Sequence, residues 1–147
     1  MIRRARDDEV AWVAETIAAA FTHYIPRLGR MPMTMTADHG AFVAAGEVHV
    51  LEEAGARLGL IVQREAADHL YIDILAVLPE AQHRGIGRQL LGFAEAEARR
   101  LGLPALRLFT NARMTENLRF YPRMGYRVIE RRSEDGLDRV DFEKRLA

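Results

Sequence analysis

Residues 75–91 have the sequence LAVLPEAQHRGIGRQLL. The stretch opens as an apolar run typical of a buried strand, and Pro79 ends the run because proline donates no ladder hydrogen bond. A polar turn with two glycines follows, and then a helical pattern begins. A strand, a glycine-rich turn and a helix start present unpaired backbone N–H groups beside the positive end of the helix dipole. The stretch therefore predicts a binding site for an anion such as a pyrophosphate.

The glycines of this turn, Gly85 and Gly87, suit such a site because glycine lets a ligand approach the backbone and adopts φ > 0. The spacing is not the dinucleotide fingerprint, since position 90 is Leu90 rather than glycine, and no Gly-Lys-Ser/Thr follows as in a Walker A loop. On these residues alone, a tight turn without a ligand stays open, whereas a generic nucleotide-phosphate binder is disfavoured because both nucleotide fingerprints are missing.

A second informative block lies about thirty residues further on, where residues 110–126 have the sequence TNARMTENLRFYPRMGY. Together the two blocks resemble the GNAT N-acetyltransferase superfamily. Residues 82–87 are similar to its Gln/Arg-x-x-Gly-x-Gly/Ala signature, and residues 120–126 are similar to its Phe/Leu-Tyr-x-x-x-Gly-Phe/Tyr block. The resemblance covers residues 70–127 and is weaker elsewhere.

The resemblance implies direct transfer of an acetyl group from acetyl-CoA, as co-substrate and without a metal, to a primary amine of an unidentified acceptor. It implies that backbone groups around Ala76 and Val77 bind the pantetheine arm, and that the loop 82–88 binds the pyrophosphate. The loop residues expected in the cofactor site are Gln82, His83, Arg84, Gly85, Ile86, Gly87 and Arg88. The alternative is a non-catalytic acyl-CoA-binding sensor or partner module.

The expected catalytic pair is Tyr121 and Asp73. In the family, the tyrosine matching Tyr121 often protonates the leaving CoA thiolate, and a phenol near pKa 10 suits that step. The other interpretation of Tyr121 is an aromatic that packs its helix on the sheet. Asp73 is the acid within the strand before the loop, and strand alternation places it on one face with Tyr71, Leu75 and Val77.

Asp73 is the expected general base, because an amine must lose a proton before or during transfer. Some family members place their base at the position of Tyr71 instead. Asp73 would otherwise cap a bulge or pair with an arginine, since a carboxylate in an apolar strand needs a partner.

One position departs from the family pattern, since many members carry an Asn that contacts CoA seven residues before the tyrosine. This chain has Met114 there. Asn111 and Asn117 lie nearby and are expected to take over the contact, although asparagines are also common as helix and turn caps. On the acceptor side, the Met- and Pro-containing segment 22–35 offers His23, Tyr24, Arg27 and Arg30 as contacts.

The whole chain has the length and composition of one domain, residues 1–147, with a sizeable core. Its 21 Lys+Arg balance its 21 Asp+Glu, which argues against a nucleic-acid binder. It has no cysteine, which is compatible with a cytoplasmic location, and the histidines show no metal-ligand spacing. We expect no membrane span and no signal peptide, and the resemblance is compatible with a homodimer.

The periodicities predict an α/β (α+β) fold with a GNAT-like mixed, mostly antiparallel sheet of six to seven strands flanked by about four helices. Asp7 is predicted to cap the first helix. The last strands on either side of residues 133–136 are predicted to form a hairpin. The predicted strands span residues 2–6, 47–53, 57–64, 69–78, 105–110, 126–132 and 137–144, and the predicted helices span 8–21, 36–45, 85–101 and 114–124.

Overall fold

The computed structural model describes residues 1–147 and shows a seven-stranded sheet with the order β1-β2-β3-β4-β5-β7-β6. All neighbouring strands are antiparallel except β4 and β5, which run parallel. The predicted mixed, mostly antiparallel sheet is therefore confirmed. The strands are β1 Ile2–Arg4, β2 Val48–Glu53, β3 Ala56–Glu65, β4 Leu70–Val77, β5 Ala105–Asn111, β6 Arg127–Glu134 and β7 Leu137–Arg145.

Six α-helices flank the sheet, and two of them are single turns within residues 22–36. Short 3-10 turns precede α1, follow it, and follow β4. The helices are α1 Val10–Phe21, α2 Ile25–Leu28, α3 Met33–Thr36, α4 His39–Ala44, α5 Ile86–Arg100 and α6 Thr115–Arg123.

The core has two layers, one on each face of the sheet. On one face α1 contributes Val13 and Ile17, both without exposed surface. On the other face α5 contributes Leu90, which packs with Phe142 of β7. Burying such side chains removes apolar surface from water and stabilises each helix against the sheet. The start of α5 is therefore fixed on the sheet at the end of β4.

The start of α1 differs from the prediction, because Asp7 is wrong as its cap. Glu9 takes that place by folding its side chain back to accept a hydrogen bond from the Arg6 backbone N–H at 2.8 Å. The same carboxylate pairs with Arg3 at 2.8 Å and with Arg57 at 3.1 Å. These bonds hold the pKa of the buried Glu9 carboxyl well below its usual range, chiefly through the hydrogen bond from Arg3. Asp7 stays exposed in the 3-10 turn, and α1 begins at Val10.

A β-bulge at Asp73 corrects the predicted strand face. Along β3 the partners advance from Val62 to Gln63, whereas along β4 they pass from Ile74 to Ile72, so Asp73 is the extra residue. Alternation is interrupted at a bulge. The flanking β4 residues before and after it therefore face opposite sides of the sheet, Ile72 packing with the α5 layer and Ile74 with the α1 layer.

The predicted common face of Asp73, Tyr71, Leu75 and Val77 is therefore wrong. Leu75 and Val77 pack toward the α5 layer. Asp73 and Tyr71 both lie against Arg64 of β3, which places these two on the same side.

The only parallel pairing in the sheet is short. β4 and β5 pair only at Leu70 with Leu106 and at Tyr71 with Arg107. Beyond Tyr71 the two strands separate, so the edge of β4 from residue 72 to residue 77 faces an opening instead of a neighbouring strand. This opening is the place where a ligand can reach the middle of the sheet.

The predicted closing hairpin is confirmed, with the two-residue turn Asp135-Gly136 between β6 and β7. Both turn residues have positive φ, 49° and 76°, as a type I′ turn requires. β7 inserts between β5 and β6. The hairpin therefore ends beside the opening between β4 and β5.

Candidate active site

A cleft of about 1180 Å³ runs through the opening between β4 and β5 and is lined by both sequence blocks. Two of the residues predicted to bind the cofactor, Ala76 and Arg84, are not part of its wall. The predicted site residues that the structure brings together in the wall are Asp73, Val77, Gln82, His83, Gly85, Ile86, Gly87, Arg88, Asn111, Asn117 and Tyr121.

The loop at the start of α5 presents a continuous set of free donors. None of the backbone N–H groups from His83 to Arg88 donates to an acceptor within the protein. Gly85 is the N-cap of α5 with φ 78°, and no side chain caps the helix. The Gln82 side-chain amide donates to the Val77 carbonyl at 3.4 Å and ties the loop to β4. Free N–H groups at the positive end of a 15-residue helix fit a pyrophosphate group.

The two glycines of the loop are required for different structural reasons. A Cβ at Gly85 would meet no atom within 4 Å, so this position needs glycine for its backbone conformation. A Cβ at Gly87 would lie 3.3 Å from Cζ of Phe120, so this glycine lets α5 approach α6 closely. Phe120 in turn packs edge-on against Tyr121, with 5.2 Å between ring centroids. The second glycine therefore connects the loop to the candidate acid.

The open edge of β4 offers a second set of backbone groups. Leu78 N donates to Leu58 O at 3.0 Å, and hydrogen-bonded pairs alternate along an antiparallel ladder. Ala76 is then bonded to β3, and it is 1% exposed. The polar backbone groups of Leu75 and Val77 point to the other edge, into the opening, where both residues line the cleft. Leu75 therefore has backbone groups accessible from the cleft, whereas Ala76, which was predicted to bind the cofactor, does not.

Tyr121 packs its helix on the sheet and also lines the cleft. Its ring packs against Tyr126 and Phe142, with ring centroids 5.7 Å and 5.6 Å apart. Its side chain, which is 7% exposed, also lines the cleft. Burial raises the pKa of the Tyr121 phenol above its ordinary value, so the group is a neutral proton donor at physiological pH.

Asp73 lies in the cleft wall on the bulge of β4 and is half-buried. Its Oδ2 accepts a hydrogen bond from Arg64 Nε at 3.1 Å, so the arginine pair considered as an alternative is present. Burial raises the pKa of the Asp73 carboxyl, and the nearby Arg64 opposes the shift. A carboxylate with a raised pKa is a stronger proton acceptor than an ordinary aspartate. Tyr71 stacks under Arg64 and does not line the cleft.

The two asparagines near α6 differ in what their side chains do. Asn111 Oδ1 accepts a hydrogen bond from the Arg113 backbone N–H at 2.8 Å, which is a local turn cap. Asn117 Nδ2 donates to Thr110 Oγ1 at 3.0 Å, and its carbonyl oxygen accepts no hydrogen bond from the protein. Met114 is 7% exposed and packs in the α1 layer. Asn117 therefore retains a free acceptor in the cleft.

The segment between α1 and α4 forms the other side of the cleft. Of the four predicted acceptor contacts, His23, Tyr24 and Arg30 line it, whereas Arg27 does not. Arg27 instead forms an ion pair with Glu116 at the start of α6 and stacks over the Tyr24 ring at 5.1 Å. Burial raises the pKa of the Tyr24 phenol to about 12, and the nearby Glu116 adds to the shift.

Several site residues carry no sequence signal that would reveal them. Glu116 is separated from its partner Arg27 by 89 positions, and Asp135 lies 105 positions from Arg30, whose side chain donates to its carbonyl. Leu75 is different, because strand alternation counted from a β3–β4 pair could have indicated that its N–H faces the opening.

No group of three or more His, Cys, Asp or Glu side chains in the structure could hold a metal ion. No helix is both long and apolar enough to cross a membrane.

Residues 44–128, more than half of the chain, match the family model for the acetyltransferase (GNAT) domain. The chain belongs to the GNAT acetyltransferase family.

Two curated relatives show similarity over parts of their length. The chain is 27% identical over 131 residues to mycothiol acetyltransferase from Propionibacterium freudenreichii subsp. shermanii, a match that covers 84% of this chain and 42% of the relative. It is 45% identical over 56 residues to aminoalkylphosphonate N-acetyltransferase from Salmonella typhimurium, covering 38% of this chain and 36% of the relative. The matches thus span less than half the length of either relative.

Solved structures agree on the fold. The PaiA N-acetyltransferase from Thermoplasma acidophilum in complex with coenzyme A superposes with a TM-score of 0.83. The match covers 99% of this chain and 98% of that chain at 18% identity, which shows the shared fold alone.

Proposed function

We propose that this chain is an acetyl-CoA-dependent N-acetyltransferase that moves an acetyl group directly to a primary amine, with residues 1–147 acting as one domain. The observation that carries the proposal is the convergence of three parts on one cleft. These parts are the free N–H groups of the loop 83–88, the buried phenol of Tyr121 and the carboxylate of Asp73.

The cofactor half of the proposal rests on the fit of the loop and of the β4 edge to acetyl-CoA. The N–H groups at the start of α5 would hold the pyrophosphate, with Arg88 adding positive charge. The backbone of Leu75 and the N–H of Val77 would pair with the amide groups of the pantetheine arm, as a strand would. Asn117 offers a free carbonyl oxygen to the same arm. Bound acetyl-CoA supplies the thioester as an activated acetyl group.

The chemical half of the proposal assigns one proton to each catalytic residue. Asp73 takes a proton from the acceptor ammonium, directly or through water, which frees the nitrogen lone pair. The nitrogen then bonds to the acetyl carbon and releases its second proton to solvent, while the carbon–sulfur bond breaks. Tyr121 donates its phenolic proton to the departing sulfur, and its raised pKa keeps that proton in place beforehand. Acetyl transfer by this route needs no metal.

The alternative, a non-catalytic acyl-CoA-binding module, would need only a cofactor cradle, which consists of the loop 83–88 and the open edge of β4. The presence of Tyr121 and Asp73 in the same cleft as the cradle favours catalysis, because a binding module has no use for a proton donor and an acceptor.

Two measurements on the purified chain test the proposal. Saturating acetyl-CoA should raise the melting temperature, because a ligand that binds only the folded state stabilises it. Release of free CoA should then depend on an added amine. A melting temperature unchanged by acetyl-CoA would refute the cofactor site. A rise in melting temperature without amine-dependent CoA release would refute catalysis and support the binding module.

A further inference from the structure

The acceptor side of the cleft is a chamber between two walls, which we call the acceptor chamber. One wall is the segment 22–36, which contributes Tyr24, Met31 and Met33. The other wall is formed by β5, β7 and the turn between β6 and β7, and it contributes Phe109 and Leu137. The walls come from distant parts of the chain, so what joins them decides how open the chamber is.

One contact joins the segment 22–36 to the hairpin turn. Arg30 Nη2 donates to the backbone carbonyl of Asp135 at 3.2 Å, and both residues line the cleft. Any acceptor that extended out of the chamber between α2 and the β6–β7 hairpin would have to displace this bond.

A second set of contacts joins the same segment to the start of α6. Arg27 forms an ion pair with Glu116, and its Nη1 also lies 3.3 Å from the Arg113 carbonyl. The Arg113 side chain in turn donates a hydrogen bond to the Arg27 carbonyl at 3.3 Å. His23 lies 3.9 Å from the Glu116 carboxylate. Segment 22–36 is therefore held by contacts on both sides of the chamber, at the hairpin turn and at the start of α6.

Segment 22–36 contributes an apolar part of the chamber rim, beside the polar residues Arg30 and Asp135. Met31 and Met33 are 52% and 58% exposed and both line the cleft. Only three other large hydrophobic residues of the chain are comparably exposed, and none of them lines the cleft. Exposed apolar side chains at the edge of a pocket mark a surface that contacts a ligand, and methionine adapts to the shape of an apolar body.

We infer that the acceptor is a small primary amine with an apolar body, rather than the terminus or a lysine of a polypeptide. This inference rests on the proposed acetyl transfer. A polypeptide acceptor needs a groove that continues past the reactive amine on at least one side, and pairing groups along it. Here the Arg30–Asp135 contact closes one side of the chamber, and the contacts of Arg27 with Glu116 and Arg113 close the other side. The two methionines offer an apolar surface of limited size.

The test compares acceptors that carry the same kind of amine. Release of CoA is measured with small alkyl- and arylalkylamines, with peptides that have a free N-terminus, and with N-acetylated peptides that contain lysine. The small amines should give a kcat/KM at least tenfold above that of either peptide class. A kcat/KM for a peptide class equal to or above that of the small amines would overturn the inference while leaving acetyl transfer intact. Failure of every amine would refute the proposed function itself.

A pair of variants tests the apolar rim. Met33→Gln should lower kcat/KM for an arylalkylamine about tenfold, because an apolar contact of this size discriminates by that order. Val128→Gln is the matched control, since Val128 is 42% exposed on β6 and lies outside the cleft, and it should leave kcat/KM unchanged. The melting shift with acetyl-CoA should persist in both variants. An unchanged kcat/KM in Met33→Gln, or an equal loss in both variants, would overturn the apolar specificity.

Discussion

The cofactor loop and the acceptor chamber are built in opposite ways. The loop consists of contiguous residues 82–88, and its donors are backbone N–H groups whose direction follows from the start of α5. The chamber is assembled from segment 22–36, β5, β7 and the β6–β7 turn, and the contacts that close it join residues 86 to 105 positions apart.

This difference explains which half of the site a sequence reveals. A backbone cradle needs a short string of particular residues, because glycine and a helix start must occur at fixed spacing. A chamber made of side chains from distant segments has no such string. The difference also implies that the two halves respond independently to substitution, except at the residues where they meet.

Tyr121 lies at the meeting point, so its substitution should have the largest effect. Tyr121→Phe removes the proton donor and keeps the ring packing, and we expect kcat to fall about 100-fold. The melting shift with acetyl-CoA should be retained. Steady-state CoA release and thermal melting measure the two quantities.

Tyr126→Phe is the control for Tyr121→Phe. Tyr126 packs against Tyr121, and its buried hydroxyl has no hydrogen-bond partner, so its removal should leave kcat unchanged. Comparable losses in both variants would assign the effect to packing and contradict the acid role.

The second largest effect is expected in the cofactor half of the site, from a substitution of Gly85. Gly85→Ala places a side chain at φ 78°, which costs about 1–2 kcal/mol. We expect the KM for acetyl-CoA to rise about tenfold through distortion of the cradle, with the acceptor KM unchanged. Gly92→Ala in the same helix is the control, and it should stabilise the protein by about 0.5–1 kcal/mol without changing either KM. A rise confined to the acceptor KM would contradict the assignment of the loop.

The acceptor half should respond more weakly to the loss of one contact. Arg27→Ala removes the ion pair with Glu116, and we expect about a threefold rise in the acceptor KM, because exposed ion pairs contribute little. The KM for acetyl-CoA should stay constant. Arg100→Ala, which breaks an exposed pair with Glu97 on α5 outside the cleft, should change neither value. An altered acetyl-CoA KM in Arg27→Ala would show that the halves are coupled.

The smallest expected effect is a shift in the pH profile. Activity needs ionised Asp73, so the rate should rise with pH through its pKa, which burial places above the ordinary value. Arg64 opposes that shift, and Arg64→Gln should therefore move the acid limb to higher pH with little change in the plateau rate. An acid limb of the pH–rate profile that does not move in Arg64→Gln would exclude Asp73 as the titrating base.

Much of the fold was accessible from the sequence, because periodicity and turn residues act locally. The hairpin around Asp135-Gly136 and the helix after Gly85 were both predicted. The bulge at Asp73 was not, since an extra residue leaves no mark in an alternating strand and shows only in the partner's register. That bulge also reverses the face of Leu75 relative to Tyr71.

The site residues also divide into those that a local pattern predicts and those that depend on contacts between distant segments. The loop residues except Arg84 line the cleft together, because their contiguous spacing determines the local backbone. Glu9 replaced Asp7 at the start of α1 because Arg3 and Arg57, which hold its carboxylate, come from two different strands. The closing contacts of Arg27 and Arg30 depend in the same way on long-range packing.

The central claim, that the cleft transfers acetyl groups to amines rather than only holding acyl-CoA, is tested most directly by product stoichiometry. The purified chain is incubated with acetyl-CoA and a panel of primary amines. Free thiol is then titrated while acetylated amine is quantified by mass spectrometry. We predict one acetylated amine for each CoA released, over many turnovers. Binding of acetyl-CoA without acetylated amine, or CoA release equal with and without amine, would contradict the claim.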